Sequence, residues 1–262
     1  MSSATGTPGQ LDIGGVFNAT TEIYKKSFGT VWIVALVLLI PSTLIIGLLG
    51  DKNFLFNIIG NLVQLAATAW LAGALVKIVQ DVEADGRVDM SFGEVLGSVS
   101  SIIVPIILLQ IVVGVLTFIG YIFCIIPGVI LTLMWVVSIP AMVVEGTGIF
   151  DSMSRSSDLT RDNRMRILAV GILVFVALAV IFIATAIFAI ITPILGVIAG
   201  LAVAVAVYPY VSIIGAVLYF RLREMKEGLA GPGVVVQETV IVDEGPINPP
   251  EPPQAPPAPP AV

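Results

Sequence analysis

The chain has 262 residues, of which 57% are apolar and 11% charged, against about 45–50% and about 25% in a soluble globular domain. Twelve basic and 18 acidic residues give a formal charge of −6; residues 228–262 hold four of the acids and no base, so the remainder is close to neutral. This excludes a basic nucleic-acid-binding protein, while the absence of histidine removes the commonest general base and metal ligand, and a single cysteine, Cys124, excludes an internal disulfide or a cysteine-built zinc site.

Residues 1–10 read as a disordered start. Residues 11–28 then place Ile13, Val16, Phe17, Thr20 and Tyr24 at helical spacing, which predicts a helix with one apolar face. Beyond it, widely spaced charges divide the chain into long apolar runs. Between Lys26 and Asp51 lie 24 uncharged residues, and another 24 lie between Lys52 and Lys77. A helix needs about 20 apolar residues to cross about 30 Å of hydrocarbon, so each run holds one span, at 29–50 and 54–77. The first run is long enough to span, and the residues before it are largely polar, so it reads as a span rather than a signal peptide.

The second span carries Asn57, Asn61, Gln64 and Thr68 at spacings of 4, 3 and 4, which put them on one helical face. Amides are costly against lipid, so the spacing predicts a stripe facing the bundle, with Gln110 and Thr117 of the third span as partners. The stripe reads first as interhelical hydrogen bonding and second as a polar path for a substrate.

A second amphipathic segment, 91–103, places Phe92, Val95, Leu96, Val99 and Ile103 on one face, with Ser91 and Glu94 spaced as a capping box. The next uncharged runs, Glu94 to Glu145 and Arg166 to Arg221, hold 50 and 54 residues, each enough for two spans and a turn. Turn residues fall where that reading needs them, at Ile126-Pro127-Gly128 and at Thr192-Pro193 with Gly196. The expected spans are 103–124, 128–145, 166–190 and 196–220. A third amphipathic segment, 149–160, offers Ile149, Phe150, Met153 and Leu159.

The predicted fold is therefore an all-α integral membrane protein. Six transmembrane helices form three hairpins, each preceded by a cytoplasmic interfacial helix, in a domain spanning 11–227. The interfacial helices read as caps on the bundle rather than as membrane benders, because none has a Lys/Arg-rich polar face. Pro41, Pro105, Pro140 and Pro209 lie within spans and shape their packing; Gly196, Gly200 and Ala204 form a small-residue stripe suited to close helix contact.

Eleven basic residues fall on the side shared by the two termini, and only Lys52 falls opposite. The positive-inside rule then places both termini in the cytoplasm. Residues 228–262 contain 10 of the 17 prolines and read as a disordered Pro/Ala-rich cytoplasmic tail, a solvated spacer or else a docking segment for a cytoplasmic protein.

Residues 126–168 are the most informative stretch. Glu145 ends a span, and Arg155 lies ten residues on, beyond the turn Gly146-Thr147-Gly148. An ion pair between them would fix the next helix, and Ser156 and Thr160 can bond nearby backbone. The series Ile126-Pro127-Gly128, Trp135, Pro140, Glu145-Gly146, Arg155-Ser156 and Leu159-Thr160 resembles the membrane-domain family of glycerophosphoryl diester phosphodiesterases and similar bacterial six-span inner-membrane proteins. The openings Leu11-Asp12-Ile13-Gly14 and Ser91-Phe92-Gly93-Glu94 are similar too, so the resemblance covers about 11–225. It departs at Ser152 and Met153, where the family pattern has alanine and leucine.

The resemblance implies a bacterial inner-membrane location and a homologue of the membrane unit alone. The phosphodiesterase chemistry of fused members resembles histidine acid–base catalysis at a carboxylate-bound metal, and this chain has no histidine. The expected role is non-enzymatic, with no cofactor: organising or stabilising the bilayer or a membrane complex. The alternative is a transporter or lipid-moving protein using the stripe in the second span. The partners expected are membrane lipids and, through residues 228–262, a cytoplasmic protein.

Overall fold

A computed structural model describes residues 10–49, 53–86 and 90–228. Nearly all of them are helical, and no strand occurs among them. The amphipathic segment at the start forms α1 (Ile13–Lys26). Ser27 separates it from α2 (Phe28–Leu44), which continues through a π-turn, Ile45–Leu49. Asn53 caps α3 (Phe54–Asp85), its Oδ1 accepting from Leu55 N at 2.8 Å. Gly86 ends α3 at φ 80°, a left-handed conformation that glycine adopts without strain. The capping box forms as the sequence suggests: Ser91 and Glu94 bond each other's backbone at the start of α4 (Phe92–Ser100). The Ser91 hydroxyl, then its backbone N–H, hold the Glu94 carboxyl below its ordinary pKa.

The second half comprises α5 (Ile103–Phe123), α6 (Ile125–Trp135), α7 (Ser138–Glu145), α8 (Ile149–Thr160), α9 (Arg164–Ile191) and α10 (Pro193–Glu227). The turns between α5 and α6 and between α9 and α10 are each a single residue. The α5–α6 reversal is made by Cys124 in extended conformation, so Pro127 and Gly128 lie within α6 rather than forming the turn. A first-turn proline needs no backbone N–H, which is why the helix tolerates it there. Similarly, Thr192 alone separates α9 from α10; its hydroxyl accepts from Leu195 N at 3.2 Å and Pro193 opens the helix. The fourth expected span is two helices, α6 and α7, broken at Val136–Val137.

Among the described residues six stretches are long and apolar enough to cross a membrane: α2, α3, α5, α6 with α7, α9 and α10. The coarse expectation of a multi-pass helical membrane protein agrees with this. At about 1.5 Å per residue, the 32 residues of α3 and 35 of α10 exceed the hydrocarbon thickness, and each carries its charges at the C-terminal end. The pairs α2–α3, α5–α6 and α9–α10 pack together, and α3 and α10 each touch most of the other helices.

Burial is uneven along the helix axes. Core residues concentrate at the end that carries the basic residues: Leu71, Leu75 and Ile78 of α3, Ile213 and Leu218 of α10, Val95 and Val99 of α4. The opposite ends expose large apolar side chains such as Phe54, Phe123, Ile125 and Ile190. In α9 only 11% of the apolar window is buried, against 50% in α3, so α3 is central and α9 peripheral.

The three short amphipathic helices are tied to the bundle by polar bonds. In α1, Tyr24 Oη donates to Ala206 O at 3.1 Å and accepts from Trp32 Nε1 at 2.8 Å. Asn163 Oδ1 accepts from Leu11 N at 3.1 Å, and Arg166 Nη1 donates to Leu11 O at 2.7 Å. For α4, Trp70 Nε1 donates to Leu96 O at 3.2 Å.

Two glycines test the packing with opposite signs. A Cβ on Gly73 would lie 2.7 Å from Val99 Cγ1 and 2.9 Å from Ile106 Cδ1, whereas one on Gly97 would meet nothing within 4 Å. Gly73→Ala should destabilise by about 1–2 kcal/mol, because overpacking exceeds the helix-propensity gain of about 1 kcal/mol that Gly97→Ala receives uncompensated. Thermal melts of the two purified variants should move in opposite directions.

Candidate functional site

The polar chemistry of the described residues gathers where α7, α8 and α10 meet. Gly146, at φ 65°, ends α7 in a left-handed turn, and Gly148 begins α8. This reversal lays α8 back along α7 and brings Arg155 to Glu145: Arg155 Nε donates to Glu145 Oε1 at 2.8 Å, the pair expected from their spacing. The same carboxylate oxygen accepts from Tyr219 Oη of α10 at 2.8 Å, and Arg155 Nη2 also pairs with Glu227 at the end of α10. Glu227 Oε2 in turn accepts from Arg223 Nε at 2.9 Å. Glu145 and Arg155 side chains are 18% and 27% exposed, so solvent screens this network only in part.

Ser156, one residue further, is fully buried. Its Oγ donates to Met134 O at 2.7 Å and accepts from Val137 N at 3.3 Å, bracketing the break between α6 and α7. Pro140 supplies no backbone N–H to the residue four before it, Val136, so the ladder is already interrupted there. Ser138 Oγ takes the adjacent carbonyl, Trp135 O, at 2.7 Å. Sequence reasoning singled out Pro140 and Ser156 separately; that one closes the gap opened beside the other is visible only in three dimensions.

Gly128 serves close packing. A Cβ there would lie 2.4 Å from the Tyr121 ring, so the α5–α6 approach requires glycine. Pro127 sits beside it in the first turn of α6.

The stripe on α3 divides. Gln64 and Thr68 are half-buried, and Gln64 Oε1 accepts from Ser42 Oγ of α2 at 2.5 Å, a partner the sequence reading missed. Thr68 Oγ1 bonds back to Gln64 O at 2.9 Å. Asn57 and Asn61 are exposed, contrary to the expected inward face, and bond each other, Asn61 Nδ2 donating to Asn57 Oδ1 at 3.0 Å. The reason is lateral. At this level α2 covers the Gly60 side of α3, where an added Cβ would lie 2.5 Å from Ile46 Cγ1, and the two asparagines fall on the flank beside it. Asn61→Leu should therefore change stability by less than about 0.5 kcal/mol, whereas Gln64→Leu should cost about 1 kcal/mol; detergent-phase melting separates them.

Gln110 and Thr117 do not reach the stripe. They line a groove of about 460 Å³ between α5 and the α6–α7 arm, together with Tyr121, Thr132 and Trp135. Thr117 Oγ1 is buried without a hydrogen-bond partner. A second cavity, about 280 Å³, lies among α3, α6–α7, α9 and α10 and is lined almost wholly by apolar residues. Among the described residues no three His, Cys, Asp or Glu side chains converge as metal ligands would. The tail expected at 228–262, the loop at Asp51-Lys52 and the N-terminal residues 1–9 lie outside the described residues, apart from Gly228.

No family model, curated protein or solved structure matches the chain.

Proposed function

We propose that this is a non-enzymatic polytopic membrane protein that organises or stabilises the bilayer or a membrane complex. The observation that supports this reading is where the polar groups of the spans are spent. Glu145, Arg155, Tyr219 and Glu227 join α7, α8 and α10; Ser156 brackets a helix break; Gln64 pairs with Ser42. The Glu145 cluster fastens the end that carries the basic residues, Ser156 acts midway along the α6–α7 arm and the Gln64–Ser42 bond lies toward the other end, so each of these groups is spent on a neighbouring helix. The alternative, transport along the α3 stripe, loses support because Asn57 and Asn61 bond each other on an exposed flank.

In this reading α1, α4 and α8 are interfacial helices on the cytoplasmic face of three hairpins. The chain lies in a bacterial inner membrane, and its motifs resemble the membrane unit of the family named above. Its partners are membrane lipids and a cytoplasmic protein held by residues 228–262. The topology has its own test. Reporter fusions at Lys52 and Gln237 should report opposite sides of the membrane, with Gln237 cytoplasmic; the same side for both would sink it.

The role is tested by extracting the full chain with its surrounding lipids and identifying what stays bound, against an unrelated six-span control. A protein partner that is enriched, and lost when residues 228–262 are removed, is the expected result. Equal recovery from chain and control would reject the reading. Solute flux in vesicles that disappears in the Asn61→Leu, Gln64→Leu double variant without loss of folding would replace it with the transporter.

A further inference from the structure

Arg164 opens α9 and is only partly exposed, and its Nε is buried without a hydrogen-bond partner. None of the ion pairs among the described residues includes it. The acidic neighbour in sequence, Asp162, lies 3.8 Å from Lys226 Nζ instead, and the first turn of α9 contains no acid. A guanidinium stays charged at any physiological pH, and partial burial without a counter-ion is costly. The Nε–H of Arg164 is short of one acceptor.

The surroundings say what kind. Helical spacing puts Arg164 on the same face of α9 as Ile167, Gly171 and Val174, three, seven and ten residues on. Those three residues line the 280 Å³ cavity, facing Val76 of α3, Pro140 of α7 and Leu218 of α10. The cavity is apolar, and it sits one to three turns from the end that carries the charges. At Gly171 an added Cβ would meet nothing within 4 Å, so that wall has open space in front of it. α9 packs chiefly along α10 and touches α6 little, which leaves the cavity a side entrance between helices.

We propose that Arg164 and this cavity form a binding site for a phospholipid with an anionic headgroup, the phosphate on the guanidinium and an acyl chain between α7, α9 and α10. Exposed Arg161, three residues before, is a second basic residue in the turn that leads into α9. The apolar cavity is what favours a lipid over free phosphate: an inorganic ion would satisfy Arg164 and leave the cavity empty. The inference rests on the reading of the chain as a membrane-spanning protein.

The test uses the full chain in nanodiscs of equal parts phosphatidylcholine and phosphatidylglycerol, followed by detergent extraction and lipid quantification by mass spectrometry. Wild type should retain phosphatidylglycerol in preference to phosphatidylcholine. Arg164→Gln should reduce that preference by about fivefold, the worth of one basic residue against an anionic lipid, and Arg164→Lys should keep part of it. Gly171→Leu fills the cavity and leaves the charge, so it should reduce retention too. Melting curves show whether each variant is folded; if Arg164→Gln unfolds, Gly171→Leu carries the test. No preference in wild type, or an unchanged preference in Arg164→Gln, overturns the site. Displacement of the lipid by inorganic phosphate alone, with Gly171→Leu neutral, overturns the lipid and leaves only an anion site. Failure of the underlying reading looks different: the chain would leave membranes on carbonate washing before any lipid is measured.

Discussion

Ser156→Ala should destabilise the protein by about 2–4 kcal/mol, because two buried backbone groups lose their partner at about 1–3 kcal/mol each. At this size that is a fall in Tm of roughly 5–12 °C. The substitution removes one oxygen and adds no bulk, so packing is barely altered and the loss reports the bracket itself. Met134 O and Val137 N–H flank the break between α6 and α7, and water is not at hand to replace the hydroxyl at a fully buried position. Ser138→Ala is the comparison. Its hydroxyl bonds only Trp135 O, and its loss should cost about 1 kcal/mol. Equal, small effects for the two serines would mean that α6 and α7 hold their angle without Ser156.

The second large effect is expected at Arg155. Its guanidinium serves two carboxylates on different helices, Glu145 and Glu227. Removing one partner of a buried pair costs about 3–5 kcal/mol, and an exposed pair contributes about 0–1 kcal/mol. With Glu145 18% and Arg155 27% exposed, the case lies between, and Arg155→Ala should cost about 2–3 kcal/mol. Arg155→Lys should recover less than half, since an ammonium cannot present two separated N–H groups in a fixed fork. Adding Glu227→Gln to Arg155→Ala should cost only what its remaining pair with Arg223 contributes, about 0.3–0.5 kcal/mol; fully additive losses in a double-mutant cycle would show Arg155 and Glu227 to act independently.

How far these features could be read beforehand depends on their reach along the chain. The spans were legible because charges delimit them, and Glu145–Arg155 because ten residues and one glycine turn separate the pair. Tyr219 and Glu227 complete the same cluster from 74 and 72 residues away, and nothing local marks them. The stripe on α3 shows the limit in another form. Helical periodicity correctly put Asn57, Asn61, Gln64 and Thr68 on one side of α3. It carried no information on which flank of that side is covered at each level: beside Gly60 the chain of α2 lies to one side, and Asn57 and Asn61 are left on the other. The helix break was half legible: Pro140 announces an interruption, and its repair waits on a serine sixteen residues later in another helix. The turn at Thr192 lies where the sequence places it, whereas Pro127 and Gly128 fall inside α6, because proline is as much at home in the first turn of a helix as in the loop before it.

The end of α10 has a mechanical consequence. Gly228 turns the chain out of the helix immediately after Glu227, whose two carboxylate oxygens are held by Arg155 and Arg223. A pull on the segment beyond Gly228 therefore loads the Gly228 N–H to Glu224 O bond and, through the Glu227 side chain, Arg155 and Glu145 on two other helices. The clamp works as a cable gland does: tugging on the trailing cord is absorbed at the fitting, and the helices behind it keep their places.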